Sequence, residues 1–152
     1  MLTRRLFLTS VTALPVATLV GQAAFAASPE VFNTNGVAIN GYDPVAYFTD
    51  GQPVVGTKSH ALKWMGAVWL FSSQENMATF EADPHEFAPQ YGGYCAYAMS
   101  KNAVAKTVPE AWTVHKGKLY LNFSTGVRDI WRKDIDQNIA LADGYWPGAL
   151  QN

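Results

Sequence analysis

Pro89-Gln90-Tyr91-Gly92-Gly93-Tyr94-Cys95-Ala96-Tyr97-Ala98-Met99 decides how the rest of this chain is read. The segment holds the one cysteine, and no charged residue falls between Glu86 and Lys101. Adjacent glycines let a backbone take positive φ, or let another group approach closely. The tyrosines around them each offer an apolar body with a polar tip. An uncharged, aromatic, glycine-hinged segment around a lone thiol reads as a buried elbow or as the floor of a site. One cysteine cannot close an internal disulfide, so Cys95 is buried, a ligand, reactive, or paired between chains.

Outward from the elbow, the chain has 152 residues, enough for one domain around a single core. Its N-terminus is of a different kind. Thr3-Arg4-Arg5-Leu6-Phe7-Leu8 leads into an uncharged stretch, and Ala24-Phe25-Ala26 is a small-residue cleavage pattern. Residues 1–26 therefore read as a removable secretion signal. Its segment from Leu6 to Val20 is 15 residues long and contains Pro15, short of the ~20 residues that a membrane span needs. No stable span is expected after cleavage. The arginine pair resembles the signals of the twin-arginine translocon, which implies export of an already folded protein to a bacterial periplasm. Losing Arg4 and Arg5 takes the net charge from −1 to about −3. That balance excludes the electrostatic footprint of a nucleic-acid binder and a polybasic membrane contact.

Within the remaining chain, residues 27–36 read as a loose, polar lead-in and residues 37–150 as the domain. Val37 and Ile39 predict a short strand, and Gly41-Tyr42-Asp43-Pro44 a turn. Val45 to Phe48 is a short apolar run. Ala61–Trp64 and Ala67–Phe71 predict a hairpin about Met65-Gly66. Ser73 caps a helix that stops before Pro84, and Pro84 opens a further helical turn. Ala111–His115 and Lys118–Phe123 predict a second hairpin about Lys116-Gly117, with Leu119, Leu121 and Phe123 on one face. Ser124 or Thr125 starts one long helix. Its stripe runs through Val127, Ile130, Trp131, Ile135, Ile139 and Ala142, with Asp134 and Asn138 as polar exceptions. Gly144 ends it, and Tyr145-Trp146-Pro147 folds back. The fold class is α+β: a small single domain with two antiparallel hairpins, a short middle helix and a long C-terminal amphipathic helix.

Candidate chemistry centres on Cys95. His85, ten residues earlier, and Met99, four residues later, would complete a thiolate, imidazole and thioether set for copper or another soft transition metal. Each also has a plainer reading, in the core or on the surface. His60 and His115 lack a second histidine or cysteine at metal-motif spacing. Tyr42 and Asp43 place a carboxylate beside the elbow or form an Asx-type turn. Tyr91, Gly92, Gly93 and Tyr94 shape whatever site is there. The aromatic set Tyr91, Tyr94, Tyr97, Trp112, Trp131 and Trp146 either lines a ligand pocket or builds the core.

Five motifs in order resemble one family. They are Gly41-Tyr42-Asp43-Pro44-Val45-Ala46-Tyr47-Phe48, Trp69-Leu70-Phe71-Ser72-Ser73-Gln74-Glu75-Asn76, Phe80 with Asp83-Pro84, Tyr91-Gly92-Gly93-Tyr94-Cys95-Ala96 and Gly117-Lys118-Leu119-Tyr120-Leu121-Asn122. Together, from about residue 37 to 147, they resemble the exported YHS-domain proteins of bacteria. The resemblance implies an association with metal handling. In YHS modules elsewhere that association is attributed to cysteines, and the matching positions here are Ala46, Ser72 and Asn76 or a neighbour. None is a soft ligand, whereas the exported branch carries its cysteine at the position of Cys95. Some members of that branch are taken for selenoproteins, which implies a reactive chalcogen in the fold. Three functions stand side by side. The first is a periplasmic YHS-type binding module, with a metal ion held through Cys95. The second is a redox enzyme cycling Cys95 through a sulfenic acid or mixed disulfide. The third is a structural or protein-interaction domain with a periplasmic protein partner.

Overall fold

The computed structural model describes residues 26–152. The secretion-signal reading of residues 1–26 lies outside them, apart from Ala26. The elements run β1 (Asn33–Thr34), β2 (Val37–Ala38), α1 (Ala46–Thr49), β3 (Thr57–Trp64), β4 (Ala67–Phe71), α2 (Gln74–Ala82), α3 (Pro84–Phe87), α4 (Ala96–Met99), β5 (Trp112–His115), β6 (Lys118–Leu121), α5 (Thr125–Arg132) and α6 (Ile135–Tyr145). Short 3₁₀ turns lie at Ile39–Gly41, Gln90–Gly93 and Gly148–Gln151.

Both predicted hairpins are present. β3 and β4 pair antiparallel with Trp64 opposite Ala67, and β5 pairs with β6 with His115 opposite Lys118. Both turns are two residues in the left-handed region, Met65-Gly66 and Lys116-Gly117, whose twist matches that of the flanking strands. The first sheet has the order β1-β2-β4-β3, with β2 parallel to β4. The second is β5-β6 alone. The Ser73 hydroxyl accepts the Asn76 N–H at 3.1 Å at the start of α2, and Pro84 takes the first position of α3, as its missing N–H favours.

Four expectations need correction. The first strand ends at Ala38, because Ile39 already has φ 39° and begins a tight turn. The lead-in is not loose. Val31 is buried, the Phe32 N–H donates to the Gly92 carbonyl at 2.9 Å and the Tyr94 hydroxyl donates to the Pro29 carbonyl at 2.8 Å. The long C-terminal helix is two helices. Asp134 breaks it with φ −151° and ψ 66°; its N–H donates to the Trp131 carbonyl at 3.3 Å, and the Asn138 amide turns back to donate to the same oxygen at 2.9 Å. The two polar exceptions on the stripe are therefore what interrupts it, and Gly144 lies inside α6 rather than ending it. Finally, β6 stops at Leu121, leaving Phe123 44% exposed.

Strand β6 divides two cores. Leu119 and Leu121 face Val45, Tyr47, Trp69, Phe71 and Phe80. Tyr120, on the opposite face as strand alternation requires, joins Tyr91, Met99, Trp131 and Ala142. The elbow carries the chain from Phe87 and Ala88 at the first core to Tyr91, Ala96 and Met99 in the second.

Candidate functional site

The elbow is a run of left-handed residues: Tyr91, Gly92 and Gly93 have φ 58°, 62° and 86°. A non-glycine residue in this region is strained, and Tyr91 is held there by burial and by its hydroxyl, which donates to Asp143 Oδ1 at 2.8 Å. Burial, and then that hydrogen bond, pushes the Tyr91 phenol well above its ordinary value, so it stays a neutral donor. Gly92 is the tightest point. A Cβ there would lie 1.9 Å from the Glu30 carbonyl oxygen and 3.2 Å from the Trp146 ring. Only glycine lets the N-terminal segment and Trp146 close on the elbow together.

What they enclose is a cleft of about 230 Å³. Trp69 and Tyr91, both buried, contribute to its lining. Trp64 and His85 come from the β3–β4 hairpin and α3, with ring centroids 5.2 Å apart at 77°. Trp146 lies across Tyr91 at 6.1 Å and 65°. Glu30 completes the rim and is the one Asp or Glu in the lining, which has no Lys or Arg.

Cys95 is elsewhere. It is 1% exposed and is not part of that lining. Its sulfur accepts the N–H groups of Ala98 at 3.4 Å and Phe123 at 3.3 Å, and its thiol donates to Asn122 Oδ1 at 3.5 Å. The same Asn122 oxygen accepts the Tyr97 N–H at 3.1 Å, while the amide nitrogen is buried without a partner among the described residues. Cys95 thus caps α4 as a serine would and ties α4 to the end of β6. Met99 is buried in the second core. Of the proposed soft set, only His85 reaches the cleft, where Met65 is the thioether in the lining. Among the described residues no three His, Cys, Asp or Glu side chains form a metal-holding group. His115 instead meets Asp136 at 3.0 Å, and His60 sits on β3.

Asp43 is a third locus. Fully buried, its carboxylate accepts five hydrogen bonds. Oδ1 takes the N–H groups of Val45 at 2.9 Å and Ala46 at 3.3 Å. Oδ2 takes the Ser72 N–H, the Ser72 hydroxyl and the Asn76 amide, each at 2.8 Å. The Asx-type turn is therefore real, and it also reaches two other elements.

The family profile for the YHS domain matches residues 45–91. The match covers under a third of the chain, and within it the sequence is similar to the YHS domain. No curated protein and no solved structure gives a significant match. The matched stretch runs from α1 to the elbow, so it supplies Trp64, Trp69, His85 and Tyr91 to the cleft, while Glu30, Gly92 and Trp146 lie outside it. The three positions at which the resemblance places cysteines, Ala46, Ser72 and Asn76, converge on Asp43. Ala46 gives only its backbone N–H, Ser72 a hydroxyl and Asn76 an amide to a carboxylate whose oxygens already accept hydrogen bonds. That donor set does not fit a soft metal ion.

Sequence reasoning names Tyr91 and Trp146 as pocket candidates, and both line the cleft. Tyr94, Tyr97, Trp112 and Trp131 do not. It misses Trp64, Trp69 and Glu30. For Trp64 a signal exists: a large aromatic beside a two-residue turn is at the end of its sheet, where one face is open. For Glu30 there is none.

Proposed function

We propose that this chain is an exported YHS-type binding module whose ligand occupies the cleft between the β3–β4 turn, α3, the glycine elbow and Trp146. One observation carries this reading. Four separated segments converge on one concave, aromatic space, and Gly92 is the residue type required for two of them to meet there. Concave, mostly apolar spaces with a few polar groups are the usual form of small-molecule sites. The burial of Cys95 and Met99 supports the cleft over the thiol as the place of binding. Export to the periplasm rests on the arginine pair and the Ala24-Phe25-Ala26 cleavage pattern.

The second reading keeps Cys95 as a metal ligand or redox thiol, reached by opening of the seam between α4 and β6. Its support is the family's association with metal handling and the hydrogen-bonded sulfur. The indole N–H signals of the five tryptophans in a ¹⁵N NMR titration separate the two. The panel holds copper(I), zinc and small organic cations, anions and uncharged compounds. Shifts of Trp64, Trp69 and Trp146 that leave Trp112 and Trp131 in place, and that persist in Cys95→Ser, support the cleft. Copper(I) or zinc binding that needs Cys95 and leaves the cleft indoles unmoved supports the thiol instead.

A further inference from the structure

Resting on the cleft reading, we infer that its ligand is a small organic cation of the methylated ammonium class. The cleft is lined by the half-buried Trp64 and Trp146 and by the buried Trp69 and Tyr91, with His85 edge-on to Trp64 at 5.2 Å. Aromatic rings attract a cation through their negative faces, tryptophan most strongly. A methylated ammonium spreads its charge over carbon, is weakly hydrated and is not stripped of strong hydrogen bonds on entering such a space.

Charge points the same way. No Lys or Arg lines the cleft, and Glu30 is its one acidic residue. Among the described residues no ion pair involves Glu30. An anion would approach a lining with an acidic residue and no Lys or Arg to offset it, whereas a cation gains from that balance. The volume, about 230 Å³, is of the size that suits a compact cation rather than a drug-sized molecule. Glu30 and Trp146 lie outside the matched YHS segment, so the cation preference belongs to what this chain adds around that domain.

The test compares choline with 3,3-dimethylbutan-1-ol, its uncharged isostere, by the same indole NMR titration of the folded protein without its signal. Choline is expected to shift Trp64 and Trp146 and to bind about tenfold more tightly than the isostere. Glu30→Gln, at an exposed position that tolerates the change, is expected to weaken choline about threefold to fivefold and leave the isostere unaffected. Trp146→Leu weakens choline without touching the carboxylate, so that the two contributions are read separately. Equal binding of choline and its isostere overturns the inference, as does choline binding that ignores Glu30→Gln. So does silence towards choline up to about 100 mM while uncharged compounds shift the same indoles. In those three cases the cleft reading stands. If no member of the whole panel moves a cleft indole, the cleft reading falls as well.

Discussion

Replacing Asp43 by Asn keeps the shape of the side chain and removes one acceptor oxygen. The surrounding donors determine the cost. If the new amide nitrogen takes the place of Oδ1, it faces the Val45 and Ala46 N–H groups, and both lose their acceptor. If it takes the place of Oδ2, it faces the Ser72 N–H, the Ser72 hydroxyl and the Asn76 amide. The hydroxyl can turn to accept and Asn76 can rotate, but the Ser72 N–H cannot move. At least one buried N–H is therefore stranded, at about 1–3 kcal/mol, and the remaining bonds lose the extra strength of a charged acceptor. The expected loss is about 2–4 kcal/mol, a large part of the 5–15 kcal/mol typical of such domains. In urea this appears as a midpoint about 1–2 M lower at unchanged slope. Asp43→Ala strands more donors and loses more. A double-mutant cycle with Asn76→Ala should show coupling of about 1 kcal/mol, because the pair shares one oxygen. An Asp43→Asn protein within about 0.5 kcal/mol of the parent would refute the argument that this carboxylate joins α1, the end of β4 and α2.

The same geometry predicts several other outcomes. Gly92→Ala places a methyl against the Glu30 carbonyl at a positive φ; it should cost about 2 kcal/mol or more by chemical denaturation. Asn138→Ala removes the shorter of two hydrogen bonds to the Trp131 carbonyl at the α5–α6 break and leaves that from the Asp134 N–H at 3.3 Å, with an expected loss of about 0.5–1.5 kcal/mol by the same assay. Hydrogen bonds from Lys116 and then His115 hold the Asp136 carboxyl below its ordinary value of 3.8. A depressed folded-state value contributes stability above the unfolded value and loses it as pH falls through the folded one. The Tm difference between parent and Asp136→Asn should therefore be present at neutral pH, shrink with salt and close below about pH 3.8. Apart from the geometry, the proposed export through the arginine pair predicts that converting Arg4 and Arg5 to lysine stops export, which fractionation of producing cells would show.

How much of this is legible in the sequence depends on distance along the chain. Met65-Gly66, Lys116-Gly117, Ser73 and Pro84 act through residues two to four positions away, and the structure agrees with each. The break at Asp134 is hidden, because the 3- and 4-residue spacing from Val127 to Ala142 runs on across it. Two polar residues on an otherwise apolar stripe are the sign, and they look alike whether they interrupt a helix or merely decorate one. The glycine elbow does lie against a cleft, but not for the sake of the sulfur. Gly92 makes room for the Glu30 carbonyl and the Trp146 ring, neither near it in sequence, while the sulfur next door turns inward. The Asp43 network joins residues 29 and 33 positions apart, and nothing local to Ser72 or Asn76 announces it.

The cleft against the thiol is the central choice, and one titration with two variants addresses it. The panel of copper(I), zinc and small organic compounds is added to parent, Cys95→Ser and Trp146→Leu, with the Trp64 indole signal as the readout. The account predicts the same saturating shift in parent and Cys95→Ser and a much weaker one in Trp146→Leu. A response that vanishes in Cys95→Ser and survives in Trp146→Leu, both proteins being folded, would contradict it.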